Sequence, residues 1–240
     1  MCCLQGNPLM AAQVRAAPTW GFLTNHALVL VFVIKQPDST VRQIAEGVRI
    51  TERATLAILR QLSDDGIVER HRDGRRNTYA VNFEHLASYR REGTVALTPR
   101  AFVDGLIQAL LAIANVRVTS GRNGAAVQES VDSGALEPRI GGWGFFTNHA
   151  LVVLAIAMDR KSTVREMATA VGVTERAVVA ILNQLEDADI IIRNREGRRN
   201  SYDIDLDALK RFPRWSPGDW DFPPQLIQVA VAGLRSLMRG

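Results

Sequence analysis

The stretch WGFLTNHALV at residues 20–29 decides the fold, because it returns at residues 143–152 as WGFFTNHALV. From these two starts the copies run in register, without a gap, to Tyr89 and Phe212, and 34 of 70 positions are identical at a constant offset of 123. The period is too long for a solenoid repeat and is close to the size of one small domain. We therefore predict a duplicated folding unit, and function should lie in the features that both copies keep.

The sequence pattern of each copy predicts three helices in succession. Thr24, Thr40 and Thr51 each offer an N-cap to a run of helical periodicity, and Gln43 completes a capping box with Thr40. Gly66 supplies a typical end for the third helix. Copy two repeats the three caps at Thr147, Thr163 and Thr174. The second and third helices, joined by a tight turn, form the helix-turn-helix pattern.

Two β-prone strands follow the third helix in each copy. They are IVERHRDGRRNTYAVN at 67–82 and IIRNREGRRNSYDID at 191–205, and each pair surrounds a turn with a glycine, Gly74 or Gly197. Short strands around such a turn indicate a β-hairpin. A helix-turn-helix followed at once by a hairpin is the element order of a winged helix.

The segment ITERATLAILRQLSDDGIVERHRDGRRNTYAV at 50–81 resembles the recognition helix and wing of winged helix-turn-helix regulators of the MarR and ArsR type. The resemblance covers both copies, about three-fifths of the chain. It implies a fold that is mostly α with small β-hairpins (α+β), and a role as a bacterial DNA-binding regulator of transcription.

We predict two tandem winged helix-turn-helix domains, each with an appended C-terminal helix, that form a pseudo-twofold unit. The Gly-, Ser- and Ala-rich segment between the copies predicts a flexible linker. The wide apolar faces of the appended helices predict packing against a partner, and in the regulators that the chain resembles such helices form the dimer. The predicted boundaries are a disordered N terminus at 1–18, domain 1 at 19–91, its packing helix at 92–115, the linker at 116–141, domain 2 at 142–212, and a tail with its packing helix at 213–240.

Charge and composition favour a polyanionic partner and argue against several other classes. The chain has 240 residues, a net charge of +4 and a pI near 9.5. Its only cysteines, Cys2 and Cys3, adjoin each other and offer neither a disulfide framework nor a zinc site, so we expect a cytoplasmic protein. No apolar run approaches the roughly 20 residues of a membrane helix. The four histidines lack metal-ligand spacing and no catalytic motif is present, so we expect no enzyme activity, no metal and no cofactor.

The hairpin tips, HRDGRRN at 71–77 and NREGRRN at 194–200, are the strongest functional signal. Both keep two adjacent arginines and an asparagine, while much of the strand sequence around them has drifted. Positive charge on a narrow protrusion suits contact with phosphates and entry into a minor groove, whereas the simpler alternative is a solvated turn. The predicted DNA contacts in the hairpins are Arg72, Arg75, Arg76 and Asn77, and Arg195, Arg198, Arg199 and Asn200.

The third helix of each copy supplies the second signal. Its first turn, TER, is identical in both copies, and this end of a recognition helix meets base edges and phosphates in the major groove. The alternative is a first-turn acid favoured by the helix dipole, with a solvated arginine beside it. The apolar residues further along the helix predict that sequence-specific recognition of DNA is weak, or is biased towards A·T and partly driven by DNA shape. The predicted contacts are Thr51, Glu52, Arg53, Leu56 and Arg60 in copy one, and Thr174, Glu175, Arg176, Val179 and Asn183 in copy two.

The repeated His26 and His149 are interpreted as helix caps or hydrogen-bonding core residues rather than as a site. Trp20 and Trp143 are interpreted as core anchors or staples.

The favoured function is a regulator whose two modules bind double-stranded DNA as an internal pseudo-dimer on an imperfect inverted repeat. A protein-interaction scaffold and a MarR-like regulator gated by an unidentified small molecule are the alternatives, and self-association through the appended helices stays open.

The two copies differ in charge. Copy one, at 20–91, has 11 basic and 8 acidic residues and a net charge of +3, while copy two, at 143–214, has 11 and 10 and a net charge of +1. We therefore predict that copy one binds DNA more strongly than copy two.

Overall fold

A computed structural model describes residues 20–73, 76–88, 105–114, 144–196, 199–215 and 222–239. Over these residues the chain is mostly helical, with two small antiparallel hairpins of two strands each. The N terminus predicted to be disordered, 1–18, and the predicted linker, 116–141, lie outside the described residues.

Within the described residues, copy one contains three helices, a hairpin and two further helices. They are α1 (Asn25–Lys35), α2 (Val41–Val48), α3 (Glu52–Asp64), β1 (Val68–Asp73), β2 (Arg76–Val81) and α4 (Phe83–Ser88). The described part of helix α5 spans 105–114.

Copy two repeats this order. Its elements are α6 (Asn148–Met158), α7 (Val164–Val171), α8 (Glu175–Asp187), β3 (Ile191–Glu196), β4 (Arg199–Ile204) and α9 (Leu206–Arg211), followed by a 3₁₀ turn (Pro213–Trp215) and α10 (Pro224–Leu237). The elements from α6 to α9 each begin 123 residues after their counterparts in copy one. The duplication in the sequence is therefore also a duplication in structure.

The predicted helix caps are confirmed. The hydroxyls of Thr24 and Thr51 each accept a hydrogen bond at 3.2 Å from the backbone N–H three residues later. The capping boxes that begin at Thr40 and Thr163 are both complete. These bonds satisfy N–H groups that have no partner inside the helix, so each helix begins where its threonine lies.

Among the described residues, each copy has two turns with left-handed backbone. The turn after the second helix uses Arg49 (φ 58°) in copy one and Gly172 (φ 76°) in copy two. The turn after the third helix uses Gly66 (φ 69°) and Asp189 (φ 58°). The predicted helix end at Gly66 is thus confirmed. A residue with a side chain in this region costs about 1–2 kcal/mol, because its Cβ crowds the following carbonyl oxygen.

The hairpins have the same register in both copies and are fixed at their base. The buried Tyr79 donates its backbone N–H to the carbonyl oxygen of Pro37 at 3.0 Å. The equivalent Tyr202 donates to the carbonyl oxygen of Arg160 at 2.9 Å. Each hairpin is therefore held against the loop that follows the first helix of its copy.

The apolar faces of the appended helices α5 and α10 are covered within the chain. Helix α10 packs against α6 and α9. It lies beside α5 as well, because a methyl group on Gly105 would be 3.4 Å from Cγ1 of Val229. The buried residues of the two helices are Leu106, Ile107, Ala109, Leu110, Leu226, Ala230, Val231 and Leu234.

The two copies meet at a junction made by equivalent residues. Leu23 and Phe146, which occupy the same position in the repeat, form an antiparallel β-bridge. Beside it, the backbone N–H groups of Thr24 and Thr147 donate across the junction at 3.1 and 2.9 Å, and their hydroxyls donate across it at 2.6 Å each. Equivalent residues thus exchange equivalent bonds, as in an isologous contact. The acceptors are the carbonyl oxygens of Phe145 and Gly144 for Thr24, and of Phe22 and Gly21 for Thr147.

Aromatic side chains close the junction and join the two cores. Trp20 stacks on Phe212 of copy two with ring centres 4.7 Å apart, and Phe22 lies 4.9 Å from Phe212 and 5.2 Å from Trp215. Trp143 lies outside the described residues. One continuous hydrophobic core therefore runs through both copies.

Every helix in the described parts of the chain is too short or too polar to cross a membrane.

Candidate nucleic-acid interface

The first turns of α3 and α8 present polar groups to solvent. The hydroxyls of Thr51 and Thr174 accept the cap bond at 3.2 Å each, and a hydroxyl that accepts can still donate its own proton. The positive end of the helix dipole lies at the same place and favours an anion. The exposed residues of these turns are Thr51, Glu52 and Arg53, and Thr174, Glu175 and Arg176.

The predicted contacts further along α3 and α8 also lie on the exposed side. Leu56 is 38% exposed and Val179 is 44% exposed, which is unusual for large apolar residues in this chain. Arg60 and Asn183, one turn later, are exposed too. The opposite side of α3 packs into the core through Thr55, Ile58, Leu59 and Leu62. The structure thus brings the five predicted residues of each helix to one accessible side.

The described part of each hairpin tip carries an arginine beside an asparagine. Arg72 pairs in the ladder with Asn77, and Arg195 pairs with Asn200. Arg72, Arg195 and Asn200 are exposed, and Asn77 is half-buried. Each tip therefore presents a charged donor and an amide on neighbouring strands.

The outermost tip residues are only partly described. Arg75 and Arg198 lie outside the described residues, and of Arg76 only the backbone, in β2, is described. Arg199 is exposed. The pKa of Glu166 is lowered mainly by hydrogen bonds from the backbone and hydroxyl of its capping partner, and the charge of Arg199 adds to the effect. The hairpin tip of copy two therefore lies within electrostatic reach of the start of α7.

Arg193, a residue that the sequence analysis did not single out, ties the hairpin of copy two to α8. Its Nη2 donates to Asn183 Oδ1 at 3.0 Å and lies 3.2 Å from Glu186 Oε2, and its guanidinium carbon is 5.9 Å from the ring centre of Tyr202. Among the described residues, Arg193 Nε is a buried nitrogen without a hydrogen-bond partner. Asn183, predicted to contact DNA, is thus exposed but already accepts a hydrogen bond from another side chain of the chain. The signal that could have identified Arg193 was its retention in copy one as Arg70.

The repeated histidines connect the first helix of each copy to the third. His26 Nε2 lies 2.9 Å from Gln61 Oε1, and His149 Nε2 lies 2.7 Å from Gln184 Oε1. Trp20 stacks on His149 across the junction, with ring centres 4.2 Å apart and planes 3° apart. Burial lowers the pKa of His149, and the bond to Gln184 opposes that shift. The sequence analysis missed these partners, although both glutamines recur at the repeat offset.

In the part of the chain that the structure describes, no three His, Cys, Asp or Glu side chains form a group that could hold a metal ion.

No protein-family model, curated protein or solved structure matches the chain.

Proposed function

We propose that the protein is a DNA-binding regulator of transcription in which two winged helix-turn-helix modules of one chain act as an internal pseudo-dimer. The observation that carries the proposal is the junction. Its reciprocal bonds support a local twofold axis through Leu23 and Phe146, and such an axis relates α3 to α8. Half-sites on one face of a duplex have the same symmetry, so a twofold pair of helices suits them.

The chemistry of the exposed surfaces supports a DNA partner. Arginines at the hairpin tips and the N-terminal ends of α3 and α8 favour phosphate oxygens. The exposed Leu56 and Val179 can contact thymine methyl groups, which apolar side chains read in the major groove. Phosphate contacts would set affinity, and the few contacts to bases would bias the site towards A·T.

The local twofold arrangement of α3 and α8 predicts the spacing and the symmetry of the DNA site. Two helices related by a local twofold would enter successive major grooves about 10 base pairs, or roughly 34 Å, apart. The half-sites should differ, because Leu56 faces one where Val179 faces the other. We therefore expect an imperfect inverted repeat that is bound by a single chain.

Selection of bound sites from random duplex DNA tests the proposal, followed by footprinting and mass measurement of the complex. The expected result is an imperfect inverted repeat covered by one chain. Protection of one half-site by one chain, or a strictly symmetric site that needs two chains, would contradict the internal pseudo-dimer.

The role of the hairpin tips is tested by removing their charge. Replacing Arg198 and Arg199 together by alanine should weaken binding to all sequences similarly and flatten the plot of log affinity against log salt by about 0.9 per lost phosphate contact. The matched control replaces by alanine two exposed arginines, Arg235 in the last turn of α10 and Arg239 just after that helix. If the two double variants weaken binding equally, the hairpin tips do not contact DNA.

A protein-interaction scaffold is the second candidate, and the exposure of Leu56 and Val179 favours it. A scaffold has no need for salt-dependent binding to duplex DNA, so the salt titration separates the two functions. A third candidate, gating by a small molecule, gains no support from the apolar cavity beside Phe22, Phe146 and Trp215. That cavity has a volume of about 30 Å³, on the order of two water molecules.

A further inference from the structure

The contact between the third helix and the hairpin differs between the two copies. In copy two, Arg193 bonds to Asn183 and pairs with Glu186 at 3.2 Å. Copy one keeps the arginine as Arg70, but the residues equivalent to its two partners are Arg60 and Ser63. Copy one therefore has a second arginine where copy two has an amide, and a hydroxyl where copy two has a carboxylate.

The two arginines of copy one lie in equivalent surroundings. The register of β1 and β2 is that of β3 and β4, and α3 has the same bounds in the repeat as α8. Arg70 lies opposite Tyr79 in the hairpin ladder, and its positive charge opposes the rise in the pKa of Tyr79 that burial causes. Arg60 and Arg70 are both exposed, and neither makes an ion pair with any described residue. Helix α3 contacts β1 as α8 contacts β3, so by the repeat Arg60 and Arg70 occupy the positions of Asn183 and Arg193, with a serine in place of Glu186.

The join of α3 and the hairpin in copy one lies between the two elements that are expected to enter the grooves of DNA. A helix in a major groove and a hairpin in the adjacent minor groove have one phosphate backbone between them, so side chains at the join of helix and hairpin face phosphates. Guanidinium groups bind phosphate oxygens through several N–H donors at once.

We propose that Arg60 and Arg70 form a site for a backbone phosphate of duplex DNA, and that Glu186 fills the equivalent place in copy two with an internal anion. This inference rests on the proposed function. Copy one then makes a phosphate contact that salt weakens at the join of α3 and its hairpin, and copy two lacks the equivalent contact.

Exchanging the one acidic position between the copies tests the inference. Ser63→Glu supplies the missing carboxylate to copy one and should lower affinity, with a log-log salt slope about 0.9 flatter, as for one lost phosphate contact. Glu186→Ser frees Arg193 and should raise affinity, with a slope about 0.9 steeper. The double variant Asn183→Arg with Glu186→Ser rebuilds the copy-one arrangement in copy two and should bind more tightly still.

The controls change the same charge elsewhere. Ser236→Glu on α10 and Glu84→Ser on α4 alter exposed residues outside the proposed interface. Their effects should be small, because a Debye length of about 10 Å at 0.1 M salt screens distant charges. Binding is measured by fluorescence anisotropy on a duplex of about 40 base pairs, long enough for two half-sites one helical turn apart, and circular dichroism verifies that each variant is folded.

The outcomes separate this inference from the proposed function. If the unaltered chain binds duplex DNA but Ser63→Glu behaves like Ser236→Glu, the phosphate site is wrong and the proposed function stands. A Glu186→Ser variant that binds no more tightly than Glu84→Ser would likewise overturn the role of Glu186. If the unaltered chain shows no salt-dependent binding to the duplex, the proposed function fails and the phosphate site fails with it.

Discussion

Replacing Gly47 by alanine should destabilise copy one, because the added methyl group has no room. Its Cβ would lie 2.1 Å from Cε2 of Phe32, and 2.9 and 3.0 Å from two further ring carbons. Phe32 is 3% exposed and cannot swing into solvent. Overpacking of this kind costs about 1–3 kcal/mol. A contact at 2.1 Å falls in the upper part of that range, about 2–3 kcal/mol, and alanine gains up to about 1 kcal/mol over glycine in a helix, so we expect a net loss of roughly 1–2 kcal/mol.

The repeat provides the matched comparison. At the positions equivalent to Phe32 and Gly47, copy two has Ala155 and Ala170, a small residue beside a small residue. Phe32→Ala alone should cost about 3–5 kcal/mol. In that background Gly47→Ala should be neutral or stabilising by up to about 1 kcal/mol, because the ring that it would strike is gone.

Denaturant unfolding of the full chain, followed by circular dichroism, yields the four free energies of this cycle. Ala170→Gly in copy two serves as the control, and it should cost only the helix preference of about 0.5–1 kcal/mol. The reasoning is refuted if Gly47→Ala is harmless in the unaltered chain, or if it costs as much when Phe32 is alanine.

Three further outcomes are expected. Thr24→Ala should cost about 2 kcal/mol in denaturant unfolding, since it removes a helix cap worth about 1 and a bond across the junction worth about 1. Thr51→Ala, whose hydroxyl makes only the cap bond among the described residues, should cost about half as much; equal costs would show that the junction bond contributes nothing. Because burial lowers the pKa of His149, the unfolded chain takes up its proton first, so stability should fall as pH drops below about 6.5 and level off below the folded pKa. His149→Gln should remove that part of the dependence of the unfolding free energy on pH. Gly172→Ala should lower stability by about 1–2 kcal/mol, measured as a lower Tm, because its backbone is left-handed and no described atom lies within 4 Å of the added methyl group; an unchanged Tm would show that the turn does not strain a side chain.

Local features of the fold could be predicted from the sequence, because their bonds join residues close in the chain. Thr40 reaches Gln43 in the next turn, and Thr51 caps a helix that begins at its neighbour. The helix end at Gly66 follows from a backbone angle that glycine adopts without strain. In copy two Asp189 takes the same angle, and no local signal indicates that turn.

Contacts between distant segments could not be predicted in this way. Trp20 was interpreted as a core anchor or staple, and the pattern along the chain could not indicate that it stacks on His149 and Phe212 of the other copy. The engagement of Asn183 by Arg193 depends on how closely a hairpin approaches a helix, which hydrophobic periodicity does not specify. The predicted DNA contacts of the third helices do share one exposed side, because helical periodicity alone places them there.

The bridge between Leu23 and Phe146 has a consequence for how the two halves can diverge. In a dimer of identical chains, the residue on the twofold axis meets its own copy, so every substitution there alters both partners at once. Here a branched aliphatic residue faces an aromatic one, a pairing that no dimer of identical chains can adopt at that position. Fusion of the halves in one polypeptide also makes their association independent of protein concentration. Each half is therefore free to change without the other, and two unequal halves require no second chain.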